Sequence, residues 1–235
     1  MSRVLAIGDV HTKTWIIDQV AELVDDYDHI VFCGDYADNF NTVASATLDT
    51  WRKLKLFTDS NPKVHAVLGN HDYSYLHKEI AGRSSGWNPV TFQLINAPEN
   101  KDLRDWLLSL PIIFQLEGVS YSHAGITEEW NGEYDSFSLW SDVSPIWARP
   151  KEFGGNVTYK PILQVIGHNT SESIWQPAPT VWCIDTFSEH RDNTPAGDFT
   201  VLEIINATQF NKRKLKENKN ENNNNTASFE TEISR

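Results

Sequence analysis

The sequence predicts a single mixed α/β domain, on three observations. Short apolar runs alternate with helical patterns through the first hundred residues, which is the rhythm of strands joined by crossover helices. Beyond about residue 111 the apolar runs are separated by turns rather than helices, which predicts a second, more antiparallel sheet. Finally, "LAIGDVH", "VFCGDYAD", "VLGNHD", "SYSHAG" and "QVIGHN" each end an apolar run in Asp, Asn or His. In open α/β sheets ligands collect outside the carboxyl ends of strands, so these endings converge on one place.

The elements follow in order. "RVLAI" reads as the first strand; Ile16, Ile17, Val20, Leu23, Val24 and Tyr27 keep helical spacing; "HIVFC" is the second strand. A helix is expected from Thr42 to Phe57, with Val43, Thr47, Trp51 and Leu54 on one stripe, before the strand "KVHAVL". "KDLRDWLLSL" is a third helix, stopped by Pro111. The second-half strands are "IIFQLEG", "VSYS", "ILQVIG", "TVWCID" and "FTVLEII". Between Trp130 and Tyr159 the text is aperiodic and aromatic, as long loops over a site often are. From Asn211 to Arg235 the composition is low-complexity, so residues 1–210 are assigned to the domain and 211–235 to a disordered tail.

Composition excludes several classes. At 235 residues the chain suits one substantial core. A formal net charge of −12 argues against nucleic-acid or anionic-membrane binding by bulk electrostatics. No run approaches the length of a membrane span and the N-terminus enters a strand at once, so a cytoplasmic location is expected. Cys33 and Cys183 sit in strand-like runs as small buried thiols. The "KRKLK" stretch reads as a solvated tail, given the acidic residues that follow it.

What the five endings bring together is Asp9, His11, Asp35, Asn70, His123 and His168. Carboxylates, imidazoles and an amide are ligands for first-row divalent metals, and the absence of thiolates disfavours structural zinc. Asp9 and His11 lie two apart, so an extended backbone sends both to one side, and Asp35 has two oxygens with which to bridge two ions. Alone, Asp-x-His is turn chemistry and a buried His a core residue; the ordered set favours metal. For Arg149 and Asp185 a surface ion pair or a turn stands level with function.

The series "GDVH", "GDYAD", "GNHD", "SHAG" and "GHN" resembles the calcineurin-like metallophosphoesterases, over about residues 1–205. Within them it is similar to the branch of protein serine/threonine phosphatases and symmetrical diadenosine tetraphosphatases. "LGNHD", "LRDWLLSLP", "SHAGIT" and "CIDT" resemble the tetraphosphatases, and "LWSD" the protein phosphatases. The resemblance implies two mixed β-sheets packed as a sandwich flanked by helices. It implies one metal held by Asp9, His11 and Asp35, a second by Asp35, Asn70, His123 and His168, and a non-ligand acid, His71, oriented by Asp38. Three departures from the pattern involve four positions. Thr170 stands where nucleases and cyclic phosphodiesterases carry a second histidine; Asn39 and Leu68 replace two arginines of the phosphatase branch; Thr12 replaces a glycine.

The function expected is a phosphatase with two divalent ions, manganese first and iron or zinc as alternatives, acting on phosphomonoesters such as phosphoproteins or on nucleotide polyphosphates. Arg149 is the remaining candidate clamp for phosphate. Trp140 and Trp147 are placed in the core rather than against a nucleobase. The rivals are a nuclease or phosphodiesterase on the same scaffold, which Thr170 disfavours, and a non-catalytic module stapled by metal, which has no need of His71 and Asp38.

Overall fold

A computed structural model describes residues 2–216 apart from Asn41 and Asn193. Ten strands form two five-stranded mixed sheets. The first holds β1 (Arg3–Ile7), β2 (His29–Phe32), β3 (Val64–Ala66), β9 (Thr200–Ile205) and β10 (Gln209–Lys214), in the order β10-β9-β1-β2-β3. The second holds β4 (Ile113–Leu116), β5 (Val119–Ser122), β6 (Leu163–Ile166), β7 (Trp175–Ala178) and β8 (Val181–Cys183), in the order β4-β5-β6-β8-β7. The α-helices are α1 (Thr14–Glu22), α2 (Ala44–Ser60), α3 (Asn70–Tyr73), α4 (Pro89–Ile95), α5 (Lys101–Ser109) and α6 (Ser136–Leu139).

The pairing pattern fixes where the polar strand ends point. β1 pairs β2 and β2 pairs β3 in parallel, so three carboxyl ends lie along one edge. In the second sheet the central pairs β5–β6 and β6–β8 are also parallel, and antiparallel pairing is confined to its outer strands, β4 and β7. The expectation of a more antiparallel second sheet is therefore corrected. The connection between β5 and β6 is mostly loop, with α6 as its single short α-helical turn, and the periodicity could not announce a crossover without a longer helix.

Two apolar layers hold the sandwich. Between the sheets, Val4, Ala6, Val31, Cys33, Leu202 and Ile204 meet Tyr121, Val165 and Ile184. On the outer face of the first sheet, Leu5, Ile7, Ile30 and Phe32 pack under Ile16, Ile17 and Val20 of α1 and Trp51 and Leu54 of α2. The inner strands β1 and β2 are buried on both faces, which is why they read as continuous apolar runs. Val43 caps α2 and is exposed, so the buried stripe is Thr47, Trp51, Leu54 and Phe57. Cys33 and Cys183 are buried free thiols, and burial pushes both pKa values up.

The domain boundary at 210 needs correcting. It falls inside β10, which pairs with β9 over six positions, and Leu215 beyond it is buried. The basic "KRKLK" stretch is thus an edge strand and its exit: Lys212 Nζ donates to the Ile174 carbonyl and Arg213 to the Tyr27 hydroxyl. The rest of the assigned tail, 217–235, lies outside the described residues. No helix among the described residues is long and apolar enough to cross a membrane.

Candidate metal centre

Every candidate ligand lies just past a strand end. Asp9 and His11 follow β1, Asp35 follows β2, Asn70 opens α3 after β3, His123 follows β5 directly and His168 follows β6. The turns that present them are tight: His11, Asp35, Asp38 and His168 have φ of 43°, 53°, 59° and 66°. Left-handed backbone is costly for such residues and gathers at functional sites. Gly34, at φ +91°, permits close approach, since a Cβ there would lie 2.8 Å from the Gly69 backbone.

The two sheets are stitched together through these residues. The His123 ring donates from Nδ1 to the Cys33 carbonyl at 2.9 Å, and the His168 backbone N–H donates to Asp9 Oδ1 at 2.9 Å. With its Nδ1–H committed, His123 turns Nε2 toward Asn70 Oδ1 at 2.8 Å, His168 Nδ1 at 3.1 Å and Asp35 Oδ2 at 3.2 Å. So many potential ligand atoms around one imidazole nitrogen make a cluster suited to a cation. His11 repeats it: Nδ1 faces the Ala37 and Asp38 carbonyls, and Nε2 faces Asp9 at 3.8 Å and Asp35 at 3.9 Å. His168 Nε2 is buried without a hydrogen-bond partner. The donor set fits divalent metal.

Charge agrees with geometry. Burial, then His123 and Arg149, push His168 well below its ordinary pKa, and burial and His71 lower His11, so both stay neutral, as ligating imidazoles must. Burial, then the Asp185 and Asp35 carboxylates, push Asp9 well up, a penalty for negative charge with no cation nearby. For Asp35, burial acts upward but His123, His71 and His11 outweigh it and hold it below the usual carboxylate range. Two compact groups emerge, Asp35–His123–His168 and His11–Asp35–His71. Asp9 stands at the rim of the second, one oxygen being committed to His168.

His71 is set apart by its partner. Its Nδ1 lies 3.0 Å from Asp38 Oδ2, while Nε2 lies 3.9 Å from Asp35 and the side chain lines the cavity. Burial opposes its charge, but Asp35 and Asp38 outweigh burial and raise its pKa to about 9. Sequence reasoning missed what holds Asp38: the Tyr75 hydroxyl donates to Asp38 Oδ1 and accepts from the Asn88 backbone N–H, and Ser84 Oγ lies 3.4 Å from Oδ2. Tyr75 reads as an apolar core residue, and only the fold shows where its hydroxyl points.

The remaining candidates fall on the cavity wall or under it. Arg149, Asn39, Thr170 and Glu189 line a cavity of about 140 Å³ over the centre. Asp185 is fully buried and accepts from Thr170 at 2.8 Å and Ser188 at 2.9 Å. Leu68 is buried in the core. Trp140 and Trp147 pack on each other at 4.4 Å against the core, as expected.

Residues 2–199 match the calcineurin-like phosphoesterases, and the chain belongs to that family. Its curated relatives include the symmetrical bis(5′-nucleosyl)-tetraphosphatase of Aromatoleum aromaticum, 30% identical over 55% of this chain and 46% of that one. A second, from Vibrio cholerae, is 28% identical over 47% of this chain and 39% of its own. The chain spans about half the length of these relatives. Among solved structures, a serine/threonine phosphatase from Saccharomyces cerevisiae superposes with a TM-score of 0.60 at 11% identity, covering 92% of this chain and 81% of that one. A cold-active protein-tyrosine phosphatase of Shewanella sp. gives 0.58 at 17%, covering 90% and 80%. At such identities the structures share the fold.

Proposed function

We propose that the chain is a metal-dependent phosphoester hydrolase with a dinuclear centre, acting on phosphomonoesters or nucleotide polyphosphates. The observation that carries this reading is the pair of histidines, His11 and His123, whose second nitrogens face carboxylate and amide oxygens with their Nδ1 atoms turned to backbone carbonyls. Asp9, His11 and Asp35 would hold one ion, and Asp35, Asn70, His123 and His168 the other. When bound, the ions supply Lewis acidity to the phosphoryl oxygens and acidify water; hard oxygen and imidazole ligands favour manganese.

The chain's own residues do the rest. His71 holds a proton at Nε2, on the side facing the cavity, for the leaving oxygen. Asp38 fixes its tautomer from Nδ1 and favours the imidazolium. Arg149 binds and orients the phosphoryl group at the cavity wall. Thr170 is spent on Asp185, which leaves the nuclease reading without a further imidazole at that position.

The test is a substrate panel on metal-loaded and metal-stripped protein, comprising an aryl phosphate, phosphoserine, diadenosine tetraphosphate and a bis-aryl phosphodiester. Metal-dependent turnover of a monoester or the tetraphosphate supports the reading. Turnover confined to the diester, or none by fully loaded protein, refutes it.

A further inference from the structure

The wall of the cavity carries less positive charge than a polyphosphate needs. Among the described lining residues Arg149 is the one lysine or arginine, and it belongs with the metal ligands that meet the transferred phosphoryl group. Beyond the candidate metal ligands and the His71–Asp38 pair, the lining comprises Asn39, Phe40, Ser85, Gly86, Thr170, Ser188 and Glu189. That part of the wall is neutral except for one carboxylate.

That carboxylate is fixed in place. Glu189 Oε2 accepts from Asn39 Nδ2 at 2.8 Å, and Oε1 lies 3.4 Å from Nζ of Lys13. The Lys13 side chain is 6% exposed and that of Glu189 7%. Lys13 is outside the cavity lining, so the pair presents its acidic end to a substrate and keeps its ammonium behind. A buried ion pair of this kind is hard to reorganise, because moving either partner strands the other. Asn39 is the position where the phosphatase pattern has an arginine, so the clamp is not merely lost. The asparagine that replaces it anchors a negative charge.

Resting on the phosphoesterase reading above, we propose that Glu189, held by Asn39 and Lys13, makes this site selective for phosphomonoesters over di- and polyphosphates. A monoester brings one phosphoryl group to Arg149 and the metals, and an uncharged alcohol to the remaining wall. The unused lone pairs of Glu189 can accept from hydroxyl or amide groups of that alcohol. A second phosphate would place its charge against Glu189 in a cavity that shields it poorly. Selectivity of this kind comes from a repulsive element. The curated relatives are tetraphosphatases by name, and Glu189 is a residue that would set this chain apart from such an activity.

The experiment measures binding of inorganic phosphate and of methylenediphosphonate, a non-hydrolysable diphosphate analogue, to protein with metal in excess, beside turnover of AMP and ADP. Wild type, Glu189→Gln and Asn39→Arg are compared; the glutamine still accepts from position 39, and the arginine replaces the Asn39 anchor with a cation beside Glu189. Wild type should prefer phosphate and AMP. Each variant should shift the diphosphonate-to-phosphate affinity ratio, and the ADP-to-AMP ratio of kcat/KM, on the order of tenfold toward the diphosphate. A wild type that prefers the diphosphonate, or ratios unchanged in both folded variants, overturns the proposal. Binding ratios that shift as expected with no turnover of any ester leave the selectivity standing and refute the activity.

Discussion

His71 and Asn70 are neighbours with different assigned tasks, and the leaving group separates them. A nitrophenolate departs without a proton, whereas an alkoxide needs one. His71→Ala should therefore cost an alkyl phosphate on the order of 10² to 10⁴ in kcat, and a nitrophenyl phosphate far less. Asn70→Ala should harm both alike at matched substrate concentrations, because the metal serves every ester. Equal losses for His71→Ala on both esters would remove the acid assignment. Asp38 offers a check through pH. With Asp35, it raises the His71 pKa against the pull of burial and so favours the protonated ring. Asp38→Asn removes a charge that stabilises the imidazolium, so the alkaline limb of kcat for an alkyl phosphate should move to lower pH. A limb that stays put or moves up contradicts the pairing. The candidate ligands and the proposed dyad were legible because each follows an apolar run in a recognisable order. Tyr75, Lys13 and Glu189 were not, because their roles depend on contacts 37, 176 and 150 residues apart in sequence.

Strand ends deliver the candidate ligands, and close backbone approach makes room for them. A Cβ on Gly69 would lie 2.1 Å from the Asp35 backbone nitrogen and from its Oδ1. Gly69→Ala must displace the turn that carries the shared ligand, and should weaken metal binding at least about tenfold by calorimetry while costing about 1–3 kcal/mol in stability. Wild-type affinity in that variant would mean that Asp35 does not need its position. At the other end of the first sheet, β10 was invisible because "NKRK" has no apolar alternation; lysine-rich text is what an exposed edge strand carries. Truncation after Phe210 should lower the unfolding free energy by about 2–5 kcal/mol, since four of the six paired residues of β10 and the buried Leu215 are lost. An unchanged denaturation midpoint would return 211–216 to the tail. The second sheet was harder to read than the first because its parallel strands are joined by aperiodic loops, so no helical period marks the crossovers.

Across the whole molecule, the centre joins the two sheets, and its charge couples metal to folding. Asp9, Asp35 and Asp185 are buried within a chain of net charge −12, and Asp9 is penalised by the other two. Ions that bind the folded state stabilise it by mass action, about 2.7 kcal/mol at a hundredfold excess over Kd. Chelation should therefore lower the thermal midpoint by several degrees, and readdition of metal should restore it. A midpoint unmoved in protein verified to be metal-free would show that the cluster needs no cation.

Two ions bound by these six side chains would make the chain a phosphoesterase. The most direct test is a metal titration followed simultaneously by anomalous scattering from manganese-soaked crystals and by turnover of an aryl phosphate in solution. Two ions per chain are expected, one beside Asp9 and His11, one beside Asn70, His123 and His168, with Asp35 between them and turnover saturating as the second site fills. Ions bound elsewhere, or both sites filled in folded protein that hydrolyses no phosphoester, would contradict it.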